Sequence, residues 1–183
     1  GKTFLEIELA IATAEGLKWC GFQCTQGKVL FINLEVDTAS FLERLRDVYE
    51  GMNIEPKNLS NIKIMNLRGY SRPLDKLVNV ISRRANKVKA DMIIVDPIYK
   101  VITGDENSAE QMAKFCNQFD RICNETGASI VYCHHHSKGN QQQKKAMDRA
   151  SGSGVFARDP DAQLDLTPLE LTDDLKNYVQ DGN

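Results

Sequence analysis

The sequence has no apolar run approaching the roughly 18 to 20 residues that a helix needs to cross a bilayer, and its start does not follow the pattern of a secretory leader. A membrane partner is therefore not expected. Nor is there a surplus of either charge. The 23 Lys and Arg against 25 Asp and Glu leave a formal net charge of −2, whereas proteins that grip nucleic acid over their whole surface are strongly basic. Any such contact must be local. Proline and glycine number only 5 and 12, and 42% of residues are hydrophobic, a balance that excludes fibrous and disordered chains. Five cysteines, an odd count without an export signal, argue against a disulfide framework and for a reduced, cytoplasmic setting. Cys20 and Cys24, and Cys133 just before His134, His135 and His136, are the places where zinc ligands could meet. Packing as small apolar side chains is the favoured reading of the cysteines.

What the sequence has is alternation. Apolar runs and helical stretches follow one another through 183 residues, a length suited to one domain spanning 1–183. That order predicts an α/β fold of three layers, with a mainly parallel central sheet. A first helix is expected from Lys2 to about Ala14, carrying Phe4, Leu5, Leu9 and Ile11 inward and stopped by Gly16. Strands are expected over 28–33, 62–67, 92–95 and 128–133, with one more over 162–167. Asp37 should cap a helix through Phe41, Leu42, Leu45 and Val48, and Pro73 should take the first position of the next. Ser108 and Gln111 fit a capping box before Met112, Phe115, Phe119 and Ile122. The stretch 134–154, polar and rich in Gly, Ser and Gln, reads as a long mobile loop, and 173–183 as a tail.

Chemistry enters with Gly1, Lys2 and Thr3, which run straight into an amphipathic helix and match the end of a phosphate-binding G-K-[ST] loop. Backbone N–H groups at such a helix start hold phosphates, the Lys ammonium meets the β and γ charge, and the Thr hydroxyl ligates Mg²⁺. Asp96 closes the apolar strand MIIV, where a carboxylate can hold the magnesium shell of a nucleotide. Glu35 follows the strand VLFINL and brings a second carboxylate to the same sheet edge, placed to orient and deprotonate an attacking water. A third strand runs into His134, His135, His136, Ser137 and Lys138, and histidines there can hydrogen-bond a γ-phosphate.

In this order, GKTFLEIELAIATAEG, VLFINLE, MIIVDPI, IVYCHHHSKG and ASGSGVFARDPDA resemble the RecA-like AAA ATPases grouped with RepA-type hexameric replicative helicases. The resemblance implies a RecA-like P-loop fold that lacks its first strand here, since the sequence begins inside the P-loop. It implies ATP and Mg²⁺ bound by Gly1, Lys2, Thr3 and Asp96, with Thr3 and Asp96 on the metal. Glu35 would be the catalytic base, and His135 with His134 the γ-phosphate sensor. It further implies a homo-oligomeric, hexameric ring, with an arginine acting in trans for which Arg149 and Arg158 are both candidates, and a central loop in which Lys138, Lys144 and Lys145 meet single-stranded DNA. Two other readings stand beside the helicase: a RecA-like ATPase of recombinase-like or regulatory type, and a nucleotide- or DNA-binding module without turnover.

Overall fold

The computed structural model describes residues 1–70, 72–102, 104–134 and 154–166. Strand β3, Val29–Asn33, is buried at every position, as the unbroken run VLFIN requires of a strand covered on both faces. It forms the middle of a four-stranded sheet with β4 (Ile62–Asn66), β5 (Met92–Asp96) and β6 (Ser129–Tyr132), in the order β4-β3-β5-β6. All three pairings are parallel. The register aligns Asn33 with both Asn66 and Asp96, so three strands end level at one edge.

Because side chains alternate across a strand, the sheet faces two cores. Val29, Phe31 and Ile94 pack with Ile7 and Ile11 of α1 (Lys2–Glu15) and Phe41 and Leu45 of α2 (Thr38–Gly51). Leu30, Ile32, Ile93 and Val95 pack on the other side against α3 (Leu74–Val88) and α4 (Ala109–Thr126) through residues such as Val78, Ile81, Met112 and Ile122. The result is the three-layer α/β architecture of a RecA-like P-loop fold. Among the described residues no helix is long and apolar enough to cross a membrane.

Local signals explain most boundaries. Gly16 ends α1 in the left-handed region at φ 71°, and Gly127 ends α4 in the same way. The Asp37 carboxylate accepts from the Ser40 N–H at 2.9 Å and starts α2.

Several expectations need correction. Phe4 is 41% exposed rather than in the core, with the Arg44 guanidinium 5.5 Å from its ring centre, and Leu42 is likewise exposed. Pro73 is the N-cap of α3 instead of its first helical residue. Ser108 caps α4, but the Gln111 side chain accepts from Asp105 N–H at 2.8 Å, so the reciprocal half of the capping box is not made. Residues 162–166 form no strand, and Leu164 and Leu166 are exposed. An unforeseen hairpin joins β1 (Lys18–Trp19) to β2 (Phe22–Gln23), and a four-residue helix α5 (Val155–Arg158) packs near α4.

Candidate functional site

The site grows out of the level strand ends. Asp96 is the last residue of β5, Asn33 its partner on β3, and the Leu34 N–H donates to the Asp96 carbonyl at 2.9 Å, which keeps the two chains together one residue past the sheet. The Asn33 amide bridges onward, donating to Asn66 Oδ1 at 2.8 Å and to the Val36 carbonyl at 2.7 Å. Its own carbonyl oxygen accepts from the Val36 N–H at 3.0 Å. The turn that carries Glu35 is therefore pinned by a buried side chain. Glu35 stands outside the strand, exposed, with the Tyr99 hydroxyl donating to Oε1 at 3.2 Å.

Two open depressions meet at Glu35 and Arg68. One, of about 580 Å³, is lined by Leu34, Glu35, Arg68, Gly69 and Lys100. The other, of about 390 Å³, has Thr3, Glu35, Asp37, Arg44 and Arg68 on its walls. Thr3, at the start of α1, and Glu35, after β3, thus share one hollow. Arg68 lies 3.3 Å from Asp37 across its mouth, and Arg44 and Lys100 make the surroundings locally cationic. Sequence reasoning did not find Arg44, Arg68, Lys100 or Tyr99. Each sits in a loop or on an exposed helix face, where no periodicity marks it.

The start of α1 suits an anion. Gly1 is its N-cap and offers no side chain to the first-turn N–H groups, which leaves donors of the kind that hold phosphate at helix N-termini. Lys2 and Thr3 are both half-buried.

Asp96 differs from expectation. It does not project from the edge but lies 3% exposed beneath α1, and the Cys133 thiol donates to its Oδ1 at 2.8 Å. Above it is Glu6, which the sequence reading passed over. Glu6 is 6% exposed, and its carboxyl faces the Asp96 carboxylate and the Cys133 thiol, with which it shares hydrogen bonds. Burial is the main reason its carboxyl is raised from 4.5 to about 9, and the neighbouring Asp96 charge adds to the effect; Lys2 opposes it only weakly. One signal could have found it: Glu6 lies one turn before Ala10 on the buried face of α1, where an acid has no structural reason to be. Burial likewise pushes the Cys133 thiol well up, with Glu6 and Asp96 beside it.

His134 follows β6 and lies 3.7 Å from the Glu106 carboxylate, largely covered. Arg158 ends α5 and is exposed. His135, Lys138, Lys144, Lys145 and Arg149 lie outside the described residues.

A helix N-terminus open to phosphate, a hydroxyl one residue into the helix from it, and carboxylates after two adjacent parallel strands define the nucleotide-binding edge of a P-loop ATPase-type domain. The sequence profile of a family described as AAA domain matches residues 1–141, and the chain belongs to that family. No curated protein matches the chain.

Proposed function

We propose that the chain is the ATP-hydrolysing motor core of a RepA-type replicative DNA helicase, which hydrolyses ATP with Mg²⁺ to move along single-stranded DNA. The observation that carries this reading is the shared hollow of Thr3 and Glu35 beside the level ends of β3 and β5. The start of α1 fits the groups it would hold, and Asp96, covered by α1, would join them by turning from Cys133. The uncapped first turn of α1 and Lys2 would take the phosphates, and Thr3 with Asp96 would hold Mg²⁺. The ion supplies neutralisation of phosphate charge when bound.

Glu35 is the base in this reading. Exposure leaves it accessible to water, and the Tyr99 hydroxyl fixes its orientation. A water held by Glu35 gives it a proton as the water's oxygen bonds the γ-phosphorus and the bond to the β–γ bridging oxygen breaks, with ADP leaving. Arg68, Arg44 and Lys100 line the same hollows and favour an anionic substrate. His134 and His135 would sense the γ-phosphate. Arg149 or Arg158 would complete a neighbour's site in a hexameric ring, and Lys138, Lys144 and Lys145 would neutralise DNA phosphates.

The test is turnover in Glu35→Gln. ATP binding should persist while single-strand-stimulated hydrolysis and unwinding of a forked duplex fall at least about 100-fold, the scale of a lost general base. Unchanged turnover would remove Glu35 from this role. Hydrolysis without strand separation in the wild type would leave an ATPase that is not a helicase.

A further inference from the structure

The carboxyl of Glu6 has no part in the chemistry proposed above, yet it is buried beside the site. Its partners are Asp96 and Cys133, a second acid and a thiol, and such a buried cluster is costly in its charged form unless a cation joins it. A Glu6 oxygen, an Asp96 oxygen and Cys133 Sγ all lie within 4.8 Å of one another. They come from three elements, α1, the end of β5 and the residue after β6, so the fold itself brings the triangle together. A tetrahedral ion with ligand bonds of 2.0 to 2.3 Å holds its donor atoms roughly 3.5 Å apart, a spacing these side chains reach by small rotations.

The donor set selects the ion. Magnesium takes oxygen ligands in octahedral geometry and keeps several waters, which a buried pocket with a sulfur on one side does not offer. Two carboxylates and a thiolate suit a borderline-soft, four-coordinate ion. We propose that Glu6, Asp96 and Cys133 form a zinc site, which shares Asp96 with the magnesium position proposed above, with the fourth place taken by water. Binding requires the Cys133 thiol and the Glu6 carboxyl to release their protons to solvent as the metal bonds form. Cys133 is only partly buried.

Zinc held there takes Asp96 away from magnesium, so the site is inhibitory. That consequence rests on the nucleotide reading above. The metal site does not, and it is tested without nucleotide so that the two fail separately.

The experiment titrates the 183-residue chain, reduced and nucleotide-free, with Zn²⁺ by equilibrium dialysis and with Co²⁺ by absorption. One ion per chain is expected, with a thiolate-to-cobalt charge-transfer band and no displacement by excess Mg²⁺. Zinc affinity should fall at least about 100-fold in Cys133→Ser and in Glu6→Gln, which keeps the side-chain volume, and should be unchanged in Cys20→Ser with Cys24→Ser. Circular dichroism checks that each variant is folded. Loss of less than about tenfold in either site variant would overturn the proposal, as would displacement by Mg²⁺ or loss of binding in the Cys20 and Cys24 variant. The spectrum of that last protein decides the matter even if a site variant does not fold, because a missing thiolate band there rules Cys133 out.

Discussion

Glu6 and Glu15 stand toward opposite ends of α1, and the fold treats them in opposite ways. Glu15 Oε1 accepts from the Tyr49 hydroxyl at 3.0 Å, the Lys57 N–H at 3.1 Å and the Asn58 N–H at 2.9 Å, and Oε2 accepts from the Asn58 amide at 2.8 Å. Partial burial works against its ionisation, but these donors overcome it and hold the carboxyl below its usual value. It fastens α1 to α2 and to the segment before β4. Glu6 is far more buried and is surrounded by Asp96, another acid, and by the Cys133 thiol. One carboxylate is surrounded by donors that stabilise its charge; for the other, burial and the Asp96 charge outweigh the Cys133 thiol and Lys2, which favour ionisation. A carboxylate that serves the fold is recognisable by its donors. One that the fold does not satisfy marks the place where function, rather than stability, has chosen the residue.

The largest effect that could break this contrast is the pH dependence of stability. The Glu6 carboxyl is raised in the folded chain from 4.5 to about 9. Below pH 4.5 both folded and unfolded states hold the proton, and the group is neutral in its effect. Above it the unfolded state ionises freely while the folded state keeps the proton, so stability is lost as pH rises toward 9, by about 1.4 kcal/mol per pH unit. Glu6→Gln removes that slope. Between pH 5 and pH 7 the variant should therefore gain about 3 kcal/mol relative to the wild type, measured as urea unfolding free energies. Parallel curves for the two proteins would mean that Glu6 is not held neutral, and the contrast with Glu15 would be gone.

The same two residues show where the sequence was readable. Periodicity placed α1, and Gly16 stopped it; Glu15, at its end, reads as an ordinary exposed acid because its donors come from residues 57–58, far along the chain. Strand patterns gave the parallel sheet, because runs such as VLFIN and MIIV are buried on both faces. They also put Asp96 and Glu35 at one edge, but not that α1 would cover Asp96 and leave Glu35 in the open. Glu6 was legible only as a conflict, an acid on the apolar face of a helix. The hairpin of β1 and β2 has two residues per strand, too short for any period; only its turn was marked, with Cys20 and Gly21 both at positive φ as a two-residue hairpin requires. The alternating stretch 162–166 imitates a strand and forms none: Leu164 and Leu166 stay exposed, so its alternation buries no apolar face.

Glu15→Ala sharpens the comparison from the other side. It removes the acceptor for the Tyr49 hydroxyl, two backbone N–H groups and the Asn58 amide, and it should cost about 2 kcal/mol at neutral pH in urea unfolding. The sign with pH is the reverse of that for Glu6. A carboxyl held below its usual value contributes stability that is present above that value and lost on acidification. The cost of the mutation should therefore shrink as pH falls through the ordinary carboxylate range. A cost independent of pH would assign it to packing instead of charge.

The smallest effect isolates one of those donors. Tyr49 is 5% exposed, and its hydroxyl is pushed well up from its ordinary value by burial and then by the Glu15 carboxylate. Tyr49→Phe keeps the ring in the core with Phe41 and Leu45 and deletes only the bond to Glu15. Glu15 retains its backbone and amide donors, so the loss should be about 1 kcal/mol. In the Glu15→Ala background the hydroxyl has already lost its acceptor, and removing it should be neutral or slightly stabilising, because an unsatisfied buried donor leaves with it. Combined in a double-mutant cycle, the two substitutions should therefore show a coupling of about 1 kcal/mol. Strict additivity would mean that the hydroxyl and the carboxylate do not support one another, and that α1 is tied down at this end by the Asn58 turn alone.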